Sequence, residues 1–507
     1  MARIVVIGAG TSGHATALGL RHRLDGEHQV IVISPDSLWV NPDCLPHIAA
    51  GLQASVHETV PLGSLYRRKG IIFHQALARV IYPQGLRDDS RPQVEIQFTG
   101  SPLSGEIARV PYDFLVVATG HDMNRVAGLP TEGATVASCV IDRLDSAIAG
   151  EAELRRLASE IQDSPLGDSP RVIAVGRAAR GMGGYYGALE YALAVDGVLR
   201  AEGLRNRVQI HFFDAGRPWL YTLNENPEME QAARQAIEKL LHRYRIVLHR
   251  GKRLSNVNGN RLRYVSADGE GSPEEITCQL LAVEASRVLT PLEVKNPEGQ
   301  DISGQLYDRW GRFKVDARLQ ENSRGEPEAV LPQTFRNPSF PRIFGIGSAI
   351  ALDAVCPGKS VAKVAASGGT AALADLGTGS LGAISVDDSA ESRLRDLAPE
   401  PSQTRDMSHL MSREVTDQIV GELTDEERKD PPERLDEIES VLSLEWDYTL
   451  FSRRGFYAEI GLTKSKENPR QVLLVRNGLF AYWSVRIERF LERYRAQGHP
   501  LWWLLPS

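Results

Sequence analysis

Cysteine is scarce in this sequence of 507 residues. The few cysteines share no CxxC spacing, which argues against a zinc site and against a disulfide scaffold. They are Cys44, Cys139, Cys278 and Cys356. Buried thiols are the simplest expectation for all of them, and the alternative is that one or two lie beside a redox cofactor.

Long apolar runs and an excess of basic charge are also missing. No apolar stretch approaches the ~20 residues that a transmembrane helix requires, and the first residues enter a strand-like pattern without the features of a signal peptide. The formal net charge of -7 argues against nucleic acid as a partner, because a nucleic-acid surface favours concentrated basic residues. We therefore expect a cytoplasmic protein, and contact with the inner face of the cytoplasmic membrane stays open.

The first residues form a glycine-rich turn between a strand and a helix. Residues 4–7 are an apolar run, as in a parallel strand buried on both faces, and a GxGxxG pattern follows. One glycine permits the tight turn, one lets the backbone approach a pyrophosphate, and one lets the helix pack on the strand. Because the amino end of the helix presents free amides, we predict a dinucleotide site there. Its predicted contacts are Gly8, Ala9, Gly10, Thr11, Ser12 and Gly13.

A second apolar strand over residues 29–34 follows at the distance expected of a dinucleotide-binding unit. An acidic residue usually closes this strand and binds the ribose. Here Ser34 takes its place, Pro35 is next, and Asp36 lies two residues beyond. We therefore predict an atypical ribose contact from these three residues.

Two distant segments narrow the identity of the dinucleotide. Residues 112–120 are an apolar strand that runs into an Ala-Thr-Gly turn, and residues 342–348 are a strand that ends in a Gly-Ile-Gly turn. This ordered set resembles flavoproteins with two dinucleotide-binding domains, in which the FAD domain is discontinuous and its last strand returns after the second domain. The resemblance implies FAD as the cofactor. The further contacts predicted for it are Cys44, Ala78, Ala118, Thr119, Gly120, Gly347, Ser348 and Lys359.

A second strand–turn–helix pattern is degraded. Its turn reads Gly-Arg-Ala-Ala-Arg-Gly over residues 176–181, so Ala178 stands where a glycine would let the backbone touch a pyrophosphate. Asp214 is a candidate ribose ligand, and Arg177 or Arg180 is a candidate phosphate ligand, although all three are also ordinary surface residues. The degraded turn favours a flavoprotein whose electron donor is not NADH, while a working nicotinamide site stays open.

Further matches extend the resemblance along the chain. They fall at residues 31–36, 138–139, 188–191, 311–316, 445–446 and 478–481. With them the chain resembles the sulfide:quinone oxidoreductase group, with flavocytochrome c sulfide dehydrogenases as near relatives and type II NADH dehydrogenases further off. The resemblance implies an α/β fold with two Rossmann-like dinucleotide-binding domains, the FAD domain being discontinuous, and a small α+β C-terminal domain.

The resemblance also implies domain limits. These are 1–140 and 311–376 for the two parts of the FAD domain, 141–310 for the second Rossmann-like domain, 377–440 for a charged linker or insertion, and 441–507 for the C-terminal domain.

The resemblance names catalytic candidates. Lys359 would lie near the flavin pyrimidine ring and stabilise negative charge on the reduced flavin, and Glu190 would handle protons in the substrate pocket. Cys139 corresponds to a position where some members hold a cysteine at the flavin, and a buried thiol in a domain hinge is the alternative. Cys44 lies close to the position of a flavin-bonded cysteine, with ordinary burial favoured. Cys356, close to Lys359, would replace one of the two redox cysteines on which the group relies and which this chain lacks.

The redox cysteine pair of that group is missing. In the group, two facing cysteines take up sulfur as a persulfide and pass electrons to the flavin. The corresponding positions here are a glycine at 183 or 184 and Leu450. We therefore expect no disulfide relay.

The C-terminal third changes in composition. Residues 377–437 are rich in Asp, Glu, Ser, Pro and Arg, which predicts a solvated linker or a loose helical insertion and not a core. Strand-like segments follow, and then an amphipathic helix whose other side carries charges of both signs. Its apolar side consists of Trp483, Ile487, Phe490, Leu491 and Tyr494. Two interpretations stay open: a monotopic membrane contact where quinone enters, and a cover over the flavin domain or a partner subunit.

Together these features predict an FAD-dependent oxidoreductase that passes electrons from a sulfur compound or another small reductant to a quinone or a protein acceptor. An NAD(P)H-oxidising flavoenzyme is one alternative. The other is a catalytically altered FAD-containing subunit of a larger complex, which the missing cysteine pair motivates.

Overall fold

The computed structural model describes residues 1–120, 136–141, 143–177, 186–214, 227–266, 271–284, 289–308, 311–316, 318–321, 327–330, 334–350, 405–424, 440–446, 454–462, 471–477 and 479–504. The helices in these ranges are α1 (Thr11–Arg23), α2 (Leu45–Ala49), α3 (Leu62–Lys69), α4 (Leu144–Asp163), α5 (Tyr186–Ala201), α6 (Pro227–Arg243), α7 (Ser303–Leu306), α8 (Arg405–Thr424) and α9 (Leu479–Ala496).

The strands fall into two large sheets and several small ones. In chain order they are β1 (Arg3–Ile7), β2 (Gln29–Ser34), β3 (Leu38–Val40), β4 (Thr59–Pro61), β5 (Ile72–Tyr82), β6 (Gln93–Phe98), β7 (Ile107–Pro111), β8 (Phe114–Val117), β9 (Ala137–Val140), β10 (Arg171–Arg177), β11 (Val208–Asp214), β12 (Ile246–Arg250), β13 (Lys252–Asn258), β14 (Arg261–Ser266), β15 (Glu274–Thr277), β16 (Leu280–Glu284), β17 (Glu293–Val294), β18 (Arg318–Glu321), β19 (Pro327–Val330), β20 (Ile343–Gly345), β21 (Ser440–Trp446), β22 (Arg454–Leu462) and β23 (Gln471–Asn477).

The first sheet is built around the N-terminal strand. Its order is β20-β8-β1-β2-β5-β6-β7, and β17 pairs with β5 outside this path. Strands β20, β8, β1, β2 and β5 run parallel, whereas β5, β6 and β7 form an antiparallel meander. Residues 4–7 of β1 are buried, as expected for a parallel strand covered on both faces. Because β20 returns to pair with β8 after the whole second sheet, the first unit is discontinuous.

The second sheet has the order β12-β11-β10-β16-β9, and all its pairs are parallel. An antiparallel sheet of β13, β14 and β15 packs next to it, and Leu254 of this sheet contributes to the same small core as Phe213 of β11. The predicted fold class, α/β with two Rossmann-like units, is thereby confirmed.

Strand pairing divides the chain at slightly different points from the expected domain limits. β9 already belongs to the second sheet, and β17 already belongs to the first. By this measure the changeovers lie before Ala137 and before Glu293, not at 140 and 310. The limits of the domains themselves stay a prediction.

The expectation of a solvated segment over 377–440 is wrong for α8. This helix buries Met411, Val415 and Ile419 in the core of the first unit, where it packs along α1. Composition misled here because the apolar residues of α8 are few, and they recur at the spacing of one helical face. Helix α8 therefore covers α1, although it lies more than 380 residues later in the chain.

The last described elements are the antiparallel sheet of β21, β22 and β23 and the helix α9. α9 packs against this sheet and also contacts α1. Within the part of the chain that the structure describes, no helix is both long enough and apolar enough to cross a membrane.

Candidate functional site: a dinucleotide cradle beside a buried polar junction

The turn after β1 has the geometry of a phosphate-binding loop. Gly8 has a φ of +100°, and a Cβ at this position would overlap the backbone carbonyl of Ala118. A Cβ on Gly13 would overlap the carbonyl oxygen of Gly8, so α1 begins in direct contact with the turn. Two of the three glycines are therefore required by the protein's own packing.

The third glycine leaves room for a ligand. Gly10 is the N-cap of α1, and nothing lies within 4 Å of the place where its Cβ would stand. The first turn of α1 contains no acidic residue that would occupy its amides. A pyrophosphate therefore fits against this helix end, where the free amides and the helix dipole favour negative charge.

The three distant turns of the sequence meet at this cradle. Ala118 closes over Gly8, as described above. A Cβ on Gly120 would lie 3.6 Å from the Ser348 hydroxyl, and a Cβ on Gly347 would lie 3.1 Å from the Ser12 hydroxyl. Gly120 and Gly347 both have a positive φ, so these turns need glycine for their backbone as well.

The other predicted cofactor contacts lie in the strands and turns of the first unit. Ser34 ends β2 and is buried, and its hydroxyl accepts the backbone N–H of Asp36 at 3.3 Å. The carbonyl of Pro35 accepts hydrogen bonds from Gln75 and Thr99. Ala78 is buried in β5, two strands away from β1. Ala9, Thr11 and Thr119 lie in the turns already described.

A histidine that the sequence did not single out anchors α1. His14 is buried, its Nδ1 lies 2.7 Å from the Tyr66 hydroxyl, and its Nε2 lies 2.8 Å from the carbonyl oxygen of Ala496. Since a carbonyl only accepts, Nε2 carries the proton and Nδ1 accepts from the tyrosine. Burial lowers the pKa of His14 to about 4, so the ring is neutral at pH 7. Its partner Ala496 is 482 residues away, and no local pattern signals such a contact.

Helix α8 closes the other side of α1. The Ser412 hydroxyl donates to the carbonyl of Ser12 at 2.8 Å, and the Met411 sulfur accepts the backbone N–H of Gly347 at 3.4 Å. Thr416 lies against Gly19 of α1. Two of the predicted cradle residues are thus held from outside by one helix.

The carboxyl edge of the second sheet corresponds to the edge that carries the cradle in the first sheet, but it holds buried acidic residues. Asp214 at the end of β11 is buried, and its carboxylate forms an ion pair with Arg234 of α6 at 3.2 Å. Glu284 at the end of β16 is also buried, and it accepts the backbone N–H of Ala188 in α5 at 3.4 Å. The sequence analysis singled out Asp214 and missed Glu284, which is the last residue of the short strand β16.

The described cysteines are all buried. Cys139 in β9 belongs to the core of the second unit, and its sulfur lies where a Cβ on Gly150 would have to go. This placement favours the interpretation as a hinge thiol, and a role beside the flavin stays a prediction. Burial raises the pKa of Cys278 to about 12, and the expectation that Cys278 is a core residue is confirmed.

Glu190 lies in a buried polar junction of three parts of the chain. Its Oε1 lies 2.6 Å from Nη2 of Arg489 in α9 and 3.2 Å from Nε2 of His47 in α2. The same His47 nitrogen lies 3.5 Å from Nη1 of Arg489. All three side chains are buried. The junction therefore ties α2 and α5, which share the core of the second unit, to the C-terminal helix α9.

A second carboxylate extends this junction. Glu58 is buried, accepts a hydrogen bond from Asn41 at 3.4 Å and lies 3.6 Å from Nη1 of Arg493, one turn beyond Arg489. Cys44 is next to it, and burial raises the pKa of its thiol well above the usual value, although Arg489 acts in the opposite direction. This thiol is protonated at neutral pH, so the ordinary burial expected for Cys44 agrees with its place.

Several predicted residues lie outside the described part of the chain. They are Cys356, Lys359, Ala178, Arg180, the glycines at 183 and 184, and Leu450. Their roles stay predictions.

Comparison with known proteins places this geometry in a family. A family model described as pyridine nucleotide-disulphide oxidoreductase matches residues 2–325. A sulfide-quinone reductase of Aquifex aeolicus is 23% identical over 353 residues, which are 69% of this chain and 68% of the relative.

Solved structures share the fold at low identity. The sulfide:quinone oxidoreductase of Aquifex aeolicus superposes with a TM-score of 0.64 and 18% identity, covering 98% of this chain and 92% of that one. NDH2 of Plasmodium falciparum, solved in complex with NADH, superposes with a TM-score of 0.60 and 12% identity, covering 98% and 96%. The predicted resemblance, the oxidoreductase class and FAD as the cofactor are confirmed by these matches.

Proposed function

Because the chain belongs to the pyridine nucleotide-disulphide oxidoreductase family, we propose that it takes two electrons from a small sulfur compound or another small reductant and delivers them to a quinone or a protein acceptor. The bound FAD supplies the two-electron carrier. The similarity to sulfide-quinone reductase supports this donor and acceptor class. Cys139 and Cys44 are structural thiols in this proposal, and Lys359 and Cys356 remain candidates for the flavin environment.

The orientation of α9 carries the proposal. An amphipathic helix on a soluble protein usually turns its apolar side inward. Here Arg489, Glu492 and Arg495 are buried, whereas Ile487 and Phe490 are 55% and 57% exposed. Trp483, Ile487 and Phe490 of the predicted apolar side are exposed, whereas Leu491 and Tyr494 are half-buried. The core-facing apolar residues of the helix include Tyr482 and Val485.

An exposed apolar helix face suits a lipid surface, where quinone is dissolved. Leu479 and Trp483 extend the face along α9, and both are exposed. Near the end of the chain Trp503 is half exposed and stacks on His22 of α1, so this tryptophan rests partly on the first unit. Tryptophan favours the membrane interface. We place the protein at the inner face of the cytoplasmic membrane as a peripheral protein.

Proton handling is assigned to the buried junction. Oxidation of a sulfur hydride or a quinol-forming reduction moves protons as well as electrons, and a buried carboxylate next to an imidazole accepts and returns a proton. Glu190 and His47 form such a pair at 3.2 Å. Arg489 orients Glu190 and holds its charge. In the absence of the family's cysteine pair, we expect the donor to react at the flavin without a disulfide relay.

The exposed face is tested by vesicle co-sedimentation of the FAD-loaded full chain. The double variant I487E/F490E should bind vesicles at least about tenfold more weakly, because each lost apolar side chain is worth well over 1 kcal/mol of burial. Its decylubiquinone reduction with sulfide should fall in parallel. Leu166→Glu is the control, since Leu166 is fully exposed on the second unit. Equal sedimentation of wild type and I487E/F490E contradicts the membrane assignment.

Similarity to NDH2 supports a second candidate, an NAD(P)H-oxidising flavoenzyme. Anaerobic stopped-flow mixing separates it from the first, because NADH or NADPH should then bleach the flavin. The third candidate, an altered subunit of a larger complex, requires that sulfide and decylubiquinone give no turnover above free flavin.

A further inference from the structure

The dinucleotide helix α1 is covered on every side near its start. Residues 12–14 and 16–18 are all buried, and at the spacing of a helix these positions point in all directions around its axis. A helix that packs only on a sheet would leave a polar stripe in water. Helix α8 packs along α1 and therefore supplies part of this cover.

Small side chains bring α8 close to α1. The hydroxyl oxygen of Ser412 lies 2.8 Å from the backbone carbonyl of Ser12. Further along, a Cβ on Gly19 would lie 3.1 Å from the hydroxyl of Thr416. Ser12, Ser412 and Thr416 are all buried. These two contacts fix the position of α8 along the dinucleotide helix, and the first of them lies at the cradle itself.

Ser412 acts on the peptide that joins Ser12 to Gly13. Its hydroxyl donates to the Ser12 carbonyl and shares the proton with the carbonyl of Ser408 at 2.7 Å. Thr16 donates to the same Ser12 carbonyl at 2.9 Å. The other end of this planar peptide is the N–H of Gly13, an amide of the first helical turn, which has no acceptor within the helix. Because hydrogen bonds to the carbonyl polarise the peptide, they strengthen this N–H as a donor to a pyrophosphate.

Met411 acts on the third turn of the cradle. Its sulfur accepts the backbone N–H of Gly347 at 3.4 Å, and its side chain is fully buried. A thioether is a weak acceptor, so this contact orients the peptide between Ile346 and Gly347 and adds little binding energy of its own. Two neighbouring residues of α8 therefore hold two separate turns of the cradle.

We propose that Ser412 and Met411 are positioning residues for FAD, which act through the backbone of Gly13 and Gly347. They are supplied by α8, a helix within the stretch that the sequence assigned to a linker. This role is independent of the electron donor and of the acceptor. It has a reciprocal consequence, because α8 raises the affinity for FAD only to the extent that bound FAD stabilises α8 in place.

Titration of the full-length apoprotein with FAD, followed by flavin fluorescence, tests this role. The double variant M411L/S412A changes the volume of both side chains little and removes both hydrogen bonds. Its affinity for FAD should fall about tenfold, since a typical hydrogen bond contributes a factor of about two to ten. Hydrogen exchange of wild type should show that FAD slows the amides of α8, and this effect should be smaller in M411L/S412A. Helix α6 of the second unit is the reference and should change less.

Val420→Ala is the matched control. Val420 lies in the same helix and the same core as Met411, more than two turns further from the cradle. This variant should lower the unfolding free energy of the apoprotein more than M411L/S412A does, because it leaves a cavity. Its affinity for FAD should stay within about twofold of wild type, as expected for a distant site. A purely structural α8 would give the opposite order of FAD affinities.

Two results overturn the proposal. One is a wild-type affinity for FAD in M411L/S412A. The other is hydrogen exchange in α8 of wild type that FAD leaves unchanged or slows no more than in α6.

Discussion

The two Rossmann-like units of this protein have the same architecture and opposite chemistry at their carboxyl edges. Each has a parallel sheet whose first strand runs toward a helix. In the first unit, the turn is built from glycines and leaves open space at Gly10. In the second, Glu284 and Asp214 turn buried carboxylates toward protein partners. A shared fold therefore says where a ligand would bind, and individual residues decide whether it does.

The largest expected effect distinguishes Gly8, which the fold of the first turn requires, from Gly10, which faces the ligand. Gly8→Ala forces a Cβ into the Ala118 carbonyl at a φ of +100°, which should cost about 5 kcal/mol or more of unfolding free energy. Gly10→Ala has ordinary backbone geometry and open space, so its stability without FAD should change by about 1 kcal/mol at most. Its FAD affinity should nevertheless fall at least tenfold, because the methyl group takes the space of the pyrophosphate.

Denaturant unfolding of the apoprotein and fluorescence titration with FAD measure the two quantities. Ala178→Gly in the second unit is the matched control, and it should change neither. The comparison fails if Gly10→Ala binds FAD as wild type does, or if Gly8→Ala unfolds at the wild-type denaturant concentration.

The next effect concerns the buried junction of α2, α5 and α9. Arg489→Met removes the buried cation from Glu190 and His47, which leaves a buried carboxylate without that charge partner. Loss of one member of a buried pair typically destabilises by about 3–5 kcal/mol. Adding Glu190→Gln should recover part of this loss, since the carboxylate is then gone as well.

Denaturant unfolding measures the free energy of unfolding of both variants, and a variant of an exposed ion pair is the control. Arg156 and Glu160 pair on the surface of α4, so Arg156→Met should cost less than about 1 kcal/mol. If Arg489→Met costs no more than Arg156→Met, the junction does not hold α9 to the second unit.

The sequence predicted the fold and the first cradle because both depend on local patterns. Gly8, Gly10 and Gly13 follow an apolar strand at fixed spacing, and the spacing itself encodes the turn. The polar junction could not be predicted in this way. Glu190 and Arg489 are 299 residues apart, and in each helix a buried charge has the same local pattern as an exposed one.

The orientation of α9 shows the same limit. Its periodicity gave the two sides of the helix, but only the rest of the structure tells which side is covered. The burial of α8 was missed for a related reason, since its polar composition is that of a solvated segment. Met411 and Val415 become core residues because α1 lies next to them, which no local pattern contains.

The smallest of these effects concerns His14, a buried residue of α1, the helix that begins at the dinucleotide cradle. The folded pKa of about 4 lies below the unfolded value of 6.5, so the unfolded state binds a proton first as the pH falls. The contribution of a neutral His14 is complete above pH 6.5 and is lost as the pH falls toward 4. At 1.36 kcal/mol for each pKa unit, the loss is about 3 kcal/mol. Denaturant unfolding at several pH values measures it.

His14→Gln removes the titrating group, so the unfolding free energy of this variant should depend less on pH between 6.5 and 4. His57→Gln is the control, since the ring of His57 is exposed and only its backbone carbonyl contacts Arg493 of α9. An unchanged pH dependence in His14→Gln means that His14 is not the buried neutral group described here. A reduced dependence links the acid stability of the first unit to the histidine that fixes α1 against the end of α9.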